Sequence, residues 1–316
     1  MNWPVASSPV PLESKQSIKL TLVIQPTNYR GRIAPSPTGL LHLGHAATFW
    51  TAYQRAVAAS GTLVLRMEDL DPQRSKSEFA QSTIEDLRWL GIQWQEGPGI
   101  GGPHTPYNQS QRQPFYVAAL NKLIEQGRVY PCHCTRKDLA QLAQAPHEDE
   151  PLYPGTCRPS TANRSINQPI ATGVNWRFRI PDNKIIEFDD NNFGHQSFTA
   201  GEDFGDFLVW RKDGVPAYQL AVAVDDAAMQ VTEVVRGADL LKSTARQILL
   251  CQALNLPQPK WHHCPLLTDE NGRRLAKRHD ALSLQKLRAS GMKPEDLLRR
   301  AANNSEKPIV HRGPDL

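Results

Sequence analysis

The sequence predicts an α/β protein built on a Rossmann-like, doubly wound parallel sheet. The short strand GRI ends at the proline turn APSP, and helical spacing then runs from about residue 43 to residue 59. Gly61 separates this helix from the buried stretch TLVLRMEDLD, and a second helical stretch follows in SKSEFAQSTIEDLRWLGI. The order strand, helix, strand, helix favours parallel strands joined by right-handed crossovers.

The later elements are predicted from the same kind of pattern. The second helix repeats apolar residues near helical spacing, and we expect a serine as its N-cap. These apolar residues are Phe79, Ile84, Leu87 and Leu90. A third helix is predicted over about residues 112–126, and the stretches NWRFRIP and KIIEFDD look like strands of one small antiparallel unit. The α/β character returns from DFLVW to VVRG, and a short helical tail is expected from Ala281 onward.

Composition limits the class of protein. The chain has 316 residues, of which 22% are charged and 40% are apolar, and its net charge is +4. These values are typical of a globular protein and permit a nucleic-acid partner without requiring one. No apolar run approaches the roughly 20 residues that a membrane-spanning helix needs. The first residues lack the order of a signal peptide, and five cysteines are few for a disulfide framework. We therefore expect a reduced, cytoplasmic protein without a membrane partner.

A rigid turn precedes the first helix and carries two histidines. Pro35 and Pro37 constrain the turn, and His42 and His45 follow at the predicted helix N-terminus. The free backbone N–H groups of a helix N-terminus form an anion site at the carboxyl edge of a parallel sheet. Gly44 leaves room for a flat ring against the backbone. Imidazole donors at this place can bind phosphate and stabilise the charge that builds during attack on it.

Three cysteines in an irregular, Pro-rich region indicate a metal site. Cys132 and Cys134 are separated by one residue, and Cys157 follows in LYPGTCRP. Three thiolates suit Zn²⁺, and a tetrahedral site needs a fourth ligand. From the residues alone, His133 and His147 are the nearby alternatives, although His133 is expected to point away from its two neighbours.

The string RIAPSPTGLLHLGH resembles the first signature of the class I aminoacyl-tRNA synthetases, in the form found in glutamyl-tRNA synthetases. The resemblance implies that the segment from Pro35 to His45 binds ATP. It places three residues of that segment at the nucleotide, namely His42, Gly44 and His45. It also implies that the residues around the end of the first strand help to hold glutamate: Arg32, Ile33, Ala34, Pro35 and Ser36.

A second signature of this family is expected downstream, in a mobile basic loop that closes on pyrophosphate. The stretch GRRLAKRHDA occupies its place, and Lys277 matches the lysine that contacts ATP. Arg274 stands in place of the first lysine and Ala276 in place of the usual serine, so charge is retained and a hydroxyl is lost. Paired cations stabilise the charge of a reacting phosphate. The resemblance therefore assigns catalysis to His42, His45 and Lys277.

Three further stretches resemble the glutamate pocket of the same family. RMEDLDP places Glu68 at a strand end, where it can hold the substrate ammonium group, and GVPAYQLAVAVDDA places Tyr218 beside the pocket. VVRGADLL places Arg236 at another strand end. A glutamate side chain needs a cation, and the planar guanidinium of Arg32 or Arg236 offers a bidentate grip that lysine lacks.

The cysteine pattern resembles the zinc site of the short glutamyl-synthetase paralogues. In that family a tyrosine is the fourth ligand. The resemblance therefore implies one structural Zn²⁺ held by Cys132, Cys134, Tyr153 and Cys157. Such a metal would pin an insertion that has little core of its own. The remaining cysteines, Cys251 and Cys264, are expected to be ordinary core residues.

These features predict the organisation of the chain. Residues 1–28 are expected to form a flexible extension, and residues 29–126 and 200–270 the catalytic domain. Residues 127–199 are expected to form the zinc-binding insertion, and residues 271–316 the signature loop with the short helical tail. A full glutamyl-tRNA synthetase continues with a large helical domain that reads the anticodon. We expect this chain to have no such anticodon-binding domain.

This organisation resembles the family of glutamyl-Q tRNA(Asp) synthetases. The resemblance implies activation of glutamate with ATP and Mg²⁺ to glutamyl-adenylate without tRNA. It also implies a tRNA modification, the transfer of glutamate to the queuosine base in the anticodon of tRNA(Asp), by a monomer. One alternative is a truncated glutamyl-tRNA synthetase that charges the acceptor end of tRNA. Two others are a catalytically dead, tRNA-binding paralogue and a small adenylyltransferase with the same histidine signature.

Overall fold

The computed structural model describes residues 29–135, 138, 152–160, 173–267 and 283–303. Its strands are β1 Arg30–Ile33, β2 Thr62–Leu65, β3 Val129–Cys132, β4 Asn175–Phe178, β5 Ile185–Asp190, β6 Gly194–Thr199, β7 Phe207–Trp210, β8 Glu233–Gly237 and β9 Lys260–Cys264. Its helices are α1 Leu43–Ala58, α2 Ser77–Trp89, α3 Gln113–Glu125, α4 Tyr218–Ala228, α5 Leu241–Leu254, α6 Leu284–Ala289 and α7 Pro294–Asn303. Within these described ranges, no helix combines the length and the apolar character that crossing a bilayer requires.

The strands form three hydrogen-bonded sheets. β1 and β2 pair in parallel, and a second sheet has the order β6, β5, β9, β8. In this second sheet β8 is parallel to β9, and β5 meets β9 in parallel where Asp190 lies opposite Trp261. β6 is antiparallel to β5. The third sheet, with the order β3, β4, β7, is antiparallel throughout.

The first two sheets adjoin along β1 and β8. The backbone N–H of Thr232 donates to the carbonyl oxygen of Arg30 at 2.9 Å, and Nη1 of Arg32 donates to the carbonyl oxygen of Val235 at 2.9 Å. These contacts advance in the same direction along both strands, so β1 and β8 run parallel. The carboxyl ends of β1, β2, β8 and β9 therefore lie at one edge, where open α/β sheets bind ligands. The predicted α/β architecture with a parallel sheet is confirmed.

Helix α1 begins directly after the proline turn, as the sequence predicts. His42 has extended backbone angles, with φ −128° and ψ 175°, and is the N-cap. The helix buries one face at regular spacing, at Leu43, Ala46, Phe49, Ala52 and Ala56. Gly61 follows the helix and passes close to Tyr29. A Cβ at this position would lie 2.4 Å from the Tyr29 carbonyl oxygen, so the close approach requires glycine.

Helices α2 and α3 lie where apolar spacing predicts them, with one difference at the start of α2. The predicted serine N-cap is wrong, because Lys76 is the N-cap and Ser77 is already the first helical residue. Lys76 makes no side-chain capping hydrogen bond. Leu87 and Leu90 of this segment are buried, as their spacing predicts. α3 carries Pro114 in its first turn, where the missing N–H of proline costs no helical hydrogen bond.

The two stretches predicted to form one antiparallel unit lie in different sheets, so that pairing is wrong. NWRF forms β4 between β3 and β7, whereas IIEFDD forms β5, which joins β6 and β9. Burial alternates along β5, with Ile186, Phe188 and Asp190 on the inner face. This alternation identifies a half-buried strand but carries no information on which strand it pairs with.

The predicted helical tail is present and packs on β1 and α1. Leu284 in α6 and Leu297 in α7 are fully buried in the same hydrophobic cluster as Ile33 and Leu43. A second cluster lies under α3, α4, α5 and the antiparallel strands, and it includes buried Cys251. Cys264 belongs to the first cluster, so both cysteines are core residues, as predicted.

Candidate active site

The segment 35–45, called the histidine turn below, forms a reciprocal cap at the start of α1. Nδ1 of His42 accepts a hydrogen bond from the backbone N–H of Gly44 at 3.2 Å. Nδ1 of His45 accepts from the backbone N–H of His42, also at 3.2 Å. A neutral imidazole that accepts at Nδ1 carries its proton at Nε2. The cap therefore selects the same tautomer in both rings, with an N–H donor at each Nε2.

Gly44 lies against one of these rings. A Cβ at position 44 would lie 3.1 Å from Cε1 of His42 and 3.3 Å from its Nδ1. These distances are tighter than ordinary packing, so the turn needs a residue without a side chain there. The flat ring for which Gly44 makes room in this structure is that of His42.

The chain returns to this turn after the predicted second signature. His42 forms an isolated antiparallel bridge with Ser283, the first described residue after that segment. Leu267, the last described residue before it, lies in the same hydrophobic cluster as Leu41. The flank that follows the segment is therefore anchored at the histidine turn, and the flank that precedes it ends in the same hydrophobic cluster. The residues of the second signature themselves lie outside the described part of the chain: Arg274, Ala276 and Lys277.

Four predicted glutamate-binding side chains converge from different elements. Arg32 lies in β1, Glu68 follows β2, Tyr218 begins α4, and Arg236 lies in β8. Burial raises the pKa of Glu68, and the cations Arg66 and Arg32 oppose this rise. Burial also raises the pKa of Tyr218, where Arg236 opposes the rise and Glu68 adds to it. Such mutual effects arise between neighbours, so the structure brings these side chains to one place.

The turn after β1 borders the same place. The carbonyl oxygen of Pro35 accepts a hydrogen bond from the backbone N–H of Glu68 at 2.9 Å. Ile33 is fully buried, Ala34 is half-buried and Ser36 is exposed. The strand end that carries Arg32 is thus fixed against the strand end that carries Glu68.

Two residues that the sequence analysis missed hold this pocket together. Arg66 is fully buried, and its Nη2 donates to Oε1 of Glu68 at 3.1 Å while its Nη1 donates to Oδ1 of Asp226 at 2.6 Å. Asp226 also accepts from Nε of Arg32 at 3.4 Å. The pKa of Asp226 is lowered because Arg66 and Arg32 outweigh the effect of burial. Removing one member of such a chain of alternating charges leaves its neighbour buried and unpaired, so each member fixes the next.

Charged residues inside otherwise apolar stretches were the available signal. Arg66 directly follows the buried run TLVL, and Asp226 lies in the helical stretch AVAVDDAA. A charge in such a position is buried only when it is paired, so both residues imply partners in the fold. The sequence alone does not say which partners these are.

Arg236 differs from the other buried arginines in its partners. Its Nε donates to Nε2 of His263 at 3.1 Å, and its Nη1 and Nη2 donate to Gln247 at 2.8 Å and to Thr244 at 2.6 Å. In the described part of the chain, none of its hydrogen-bond partners is a carboxylate. Burial lowers the pKa of Arg236, and the nearby Tyr218 opposes this effect. A buried cation without a paired anion is costly, so this guanidinium is suited to an anionic ligand.

Three cysteines and one tyrosine converge as the sequence predicts. Sγ of Cys132 lies 3.4 Å from the hydroxyl oxygen of Tyr153, and Sγ of Cys134 lies 3.7 Å from it. The Sγ atoms of Cys134 and Cys157 are 3.6 Å apart, and all three Sγ atoms lie within 4.8 Å of one another. Zinc–sulfur bonds of about 2.3 Å place tetrahedral ligands about 3.8 Å apart, so these four donors fit one metal ion.

The surroundings of this cluster suit thiolate ligands. Nε of Arg177 donates to Sγ of Cys132 at 3.3 Å, and its guanidinium lies 3.8 Å from the ring centroid of Tyr153. A positive charge at this distance offsets part of the negative charge that cysteine ligands bring to a metal site. The alternative His133 is exposed and is not part of the cluster, and His147 lies outside the described residues.

The chain matches one protein family over most of its length. The family of class I tRNA synthetases (E and Q), catalytic domain, covers residues 28–304. The glutamyl-Q tRNA(Asp) synthetase of Symbiobacterium thermophilum is 50% identical, over 85% of this chain and 84% of its own length. That of Nitratidesulfovibrio vulgaris is 50% identical, over 83% of this chain and 82% of its own length.

Longer relatives match through part of their length. The glutamate–tRNA ligase of a Sulfurihydrogenibium species is 42% identical over 83% of this chain, which is 55% of the ligase. A solved glutamate tRNA ligase from Elizabethkingia meningosepticum, in complex with its amino acid, has a TM-score of 0.73 at 28% identity, covering 90% of this chain and 63% of its own. The chain belongs to the class I tRNA synthetases of the E and Q group, and it does so through their catalytic domain.

Proposed function

We propose that this chain activates glutamate with ATP and transfers it to the queuosine base in the anticodon of tRNA(Asp). The observation that carries the activation step is the buried guanidinium of Arg236, which has neutral hydrogen-bond partners and, like Glu68, acts on the pKa of Tyr218. An acidic amino acid supplies both the carboxylate that this cation lacks and the ammonium group that Glu68 can bind. The names of the two relatives at 50% identity support the acceptor.

In this proposal Arg236 and Tyr218 bind the side-chain carboxylate of glutamate. Arg32 already pairs with Asp226, so it lines the pocket and orients the substrate together with the turn from Ile33 to Ser36. Glu68 binds the ammonium group and is kept in place by Arg66. The α-carboxylate is then directed toward the histidine turn, where ATP binds. Fixing both reactants in this way supplies much of the acceleration of a bimolecular reaction.

ATP binds in this proposal at the N-terminus of α1. His42 and His45 direct Nε2–H donors to the phosphates, and Gly44 keeps the backbone of the turn accessible. Lys277 contributes charge to the pyrophosphate as the α-carboxylate of glutamate attacks the α-phosphate. Donors that are positioned before reaction stabilise the charge that develops on the phosphate, so no covalent enzyme intermediate is needed. Mg²⁺ accompanies the nucleotide.

The cysteine cluster in this proposal binds one structural Zn²⁺ through Cys132, Cys134, Tyr153 and Cys157. The donor separations support this assignment, since they match the edges of a tetrahedral zinc site. The metal would tie β3 to the segment 152–160 and take no part in the chemistry. Residues 127–199 are accordingly proposed as the zinc-binding insertion, and residues 29–126 and 200–270 as the catalytic domain.

Sequence identity supports transfer to queuosine over charging of an acceptor end. This chain is 50% identical to each of the two glutamyl-Q tRNA(Asp) synthetases and 42% identical to the Sulfurihydrogenibium ligase.

Glutamate-dependent exchange of pyrophosphate into ATP, measured without tRNA, tests the activation step. The proposal predicts exchange with glutamate and at most weak exchange with glutamine or aspartate. A catalytically dead paralogue gives no exchange at all. Exchange that requires tRNA would contradict the proposed tRNA-independent activation.

A further inference from the structure

A buried triad of charged and polar side chains crosses three neighbouring strands behind the pocket. Asp190 ends β5, His263 lies in β9, and Arg236 lies in β8 directly opposite His263. His263 is completely buried, and Asp190 and Arg236 are each 4% exposed. The roles proposed above use Arg236 alone, which leaves a buried aspartate and a buried histidine without a function.

The hydrogen bonds of His263 determine which of its nitrogens carries the proton. Nδ1 lies 2.7 Å from Oδ2 of Asp190, and Nε2 lies 3.1 Å from Nε of Arg236. The hydroxyl of Thr244 also lies 3.1 Å from Nε2 and can donate to it or accept from it. An arginine Nε–H can only donate, so Nε2 must accept. An ionised aspartate can only accept, so Nδ1 must donate. Both neighbours therefore demand the same neutral tautomer, with the proton on Nδ1.

Asp190 is held in the orientation that this tautomer needs. Its Oδ1 accepts from the backbone N–H groups of Asn192 at 3.0 Å and Phe193 at 2.9 Å, and its Oδ2 accepts from the backbone N–H of His263 at 3.0 Å. Hydrogen bonds and the adjacent histidine outweigh burial and lower the pKa of Asp190. Burial lowers the pKa of His263 to about 4, so the imidazole between Asp190 and Arg236 is neutral.

A neutral ring between the two charges has a specific consequence for Arg236. Asp190 is one imidazole away from the guanidinium, so it polarises His263 without occupying the N–H groups of Arg236. Thr244 and Gln247 accept from the two Nη atoms, and Gln247 is itself oriented because its Nε2 donates to Gln219 at 3.0 Å. A guanidinium has more N–H groups than these acceptors use, so some remain for a ligand carboxylate.

We infer that Asp190 and His263 are positioning residues that keep the guanidinium of Arg236 oriented and free of a protein carboxylate, and thereby set the preference for glutamate over glutamine. This inference rests on the proposed function, because it assigns the substrate side chain to Arg236. Direct contact with Asp190 would instead pair the cation internally and weaken its hold on a second carboxylate.

The substitution Asp190→Asn tests the tautomer with a minimal change of shape. The two backbone donors hold the amide oxygen on the Oδ1 side, so the amide nitrogen takes the place of Oδ2 and donates to Nδ1 of His263. The hydrogen bond that Oδ2 accepts from the backbone N–H of His263 is lost with this change. The imidazole proton then moves to Nε2, where it opposes Nε–H of Arg236 and turns toward the hydroxyl oxygen of Thr244. We expect the KM for glutamate to rise about tenfold or more, kcat to change much less, and the preference for glutamate over glutamine to fall.

Asp189→Asn is the matched control. It makes the same substitution one residue earlier, at an exposed carboxylate that contacts the exposed His195 at 3.1 Å. We expect this variant to keep the KM for glutamate and the amino-acid preference of the unchanged protein. An equal loss in both variants would contradict the inference, because it would show a general effect of charge on this strand.

A second pair of variants covers the case in which Asp190→Asn fails to fold. His263→Gln keeps an acceptor for Arg236 and a donor for Asp190, whereas His263→Leu keeps only the volume. We expect the glutamine variant to retain the preference for glutamate and the leucine variant to lose it. Equal preferences in the two variants would overturn the inference.

Histidine nitrogen NMR separates this inference from the proposed function. With ¹⁵N-labelled histidine, we expect His263 to carry its proton on Nδ1 in the unchanged protein and on Nε2 in Asp190→Asn. This readout needs no substrate. Absence of glutamate-dependent exchange in the unchanged protein would refute the proposed function, whereas a proton on Nε2 of His263 in that protein would refute the positioning role.

Discussion

The rings of His42 and His45 lie against each other, with centroids 3.8 Å apart and planes inclined by 32°. The Nδ1 atom of each ring also accepts one backbone N–H at the N-terminus of α1, from His42 or from Gly44. One pair of side chains thus stabilises a helix end and supplies the donors proposed for phosphate binding. The cost of this arrangement is that a substitution to alanine affects both roles, so the two must be separated by the choice of variant.

Asparagine at position 42 separates capping from catalysis. Asparagine is among the best N-cap residues, whereas alanine at an N-cap costs about 1 kcal/mol. We expect His42→Asn to keep the unfolding free energy and to lower glutamate-dependent exchange by about a hundredfold, as for loss of one transition-state donor. His42→Ala should lose both. Urea unfolding and pyrophosphate exchange measured on the two variants check this, and normal exchange in His42→Asn would exclude the catalytic role.

Lys277 is proposed to act only during chemistry. We expect Lys277→Ala to lower the rate of adenylate formation by about a hundredfold while the affinity for glutamate stays near its original value. Rapid-quench measurement of adenylate formation checks this. Lys293→Ala is the control, because it removes the same charge from an exposed position in the tail. Similar rates in the two variants would place the second signature elsewhere.

Metal content tests the cysteine cluster. We expect the purified protein to hold one zinc ion per chain after dialysis and Cys132→Ser to lose it, because a serine hydroxyl is a poor replacement for a thiolate ligand. Cys251→Ala is the control, since this cysteine is buried in the hydrophobic core and does not belong to the cysteine cluster. Elemental analysis of both variants is the measurement. Zinc retained by Cys132→Ser would mean that the ligand set is wrong.

Asp86 makes stability depend on pH. Its side chain is fully buried, neither oxygen has a hydrogen-bond partner among the described residues, and Nη2 of Arg288 lies 3.6 Å from Oδ1. Burial raises its pKa from 3.8 to about 6, and Arg288 opposes this rise. The native state therefore binds the proton more tightly than the unfolded chain does. This group's cost to stability is absent below pH 3.8 and grows as pH rises to about 6.

We expect Asp86→Asn to mimic the protonated group. The stability of the variant relative to the unchanged protein should rise by about 2 kcal/mol between pH 4 and pH 8. Denaturant unfolding at several pH values measures it. Glu78→Gln, which removes an exposed carboxylate from the first turn of the same helix, should show no such gain at high pH. A pH-independent effect of Asp86→Asn would contradict this assignment.

The sequence predicted those parts of the fold that local patterns determine. β1, the proline turn and α1 lie where composition and spacing place them, because turn residues and a capping residue act on their immediate neighbours. β5 was assigned to the wrong sheet, because its alternation of burial shows one inner face and not the strand beside it. Pairing β5 with β9 joins residues far apart in sequence, which no local pattern encodes.

The residues of the candidate site also fall into two groups, those that sequence motifs identify and those that the fold alone reveals. Arg32, Glu68 and Arg236 could be found from the motifs that carry them, since these residues are proposed to touch the substrate. The buried residues behind them, Arg66 and His263, could not. Their role depends on partners from other strands, and in a sequence a buried charge resembles an exposed one until its partner is known.

Transfer of radiolabelled glutamate to defined tRNAs identifies the acceptor. Four substrates are compared: tRNA(Asp) with queuosine, tRNA(Asp) without queuosine, queuosine-containing tRNA(Asp) lacking its 3′-terminal adenosine, and tRNA(Glu). We expect label on both queuosine-containing molecules, with or without the terminal adenosine, and none on the other two. Label on tRNA(Glu), or label that disappears when the terminal adenosine is removed, would contradict this expectation and identify an enzyme that charges the acceptor end.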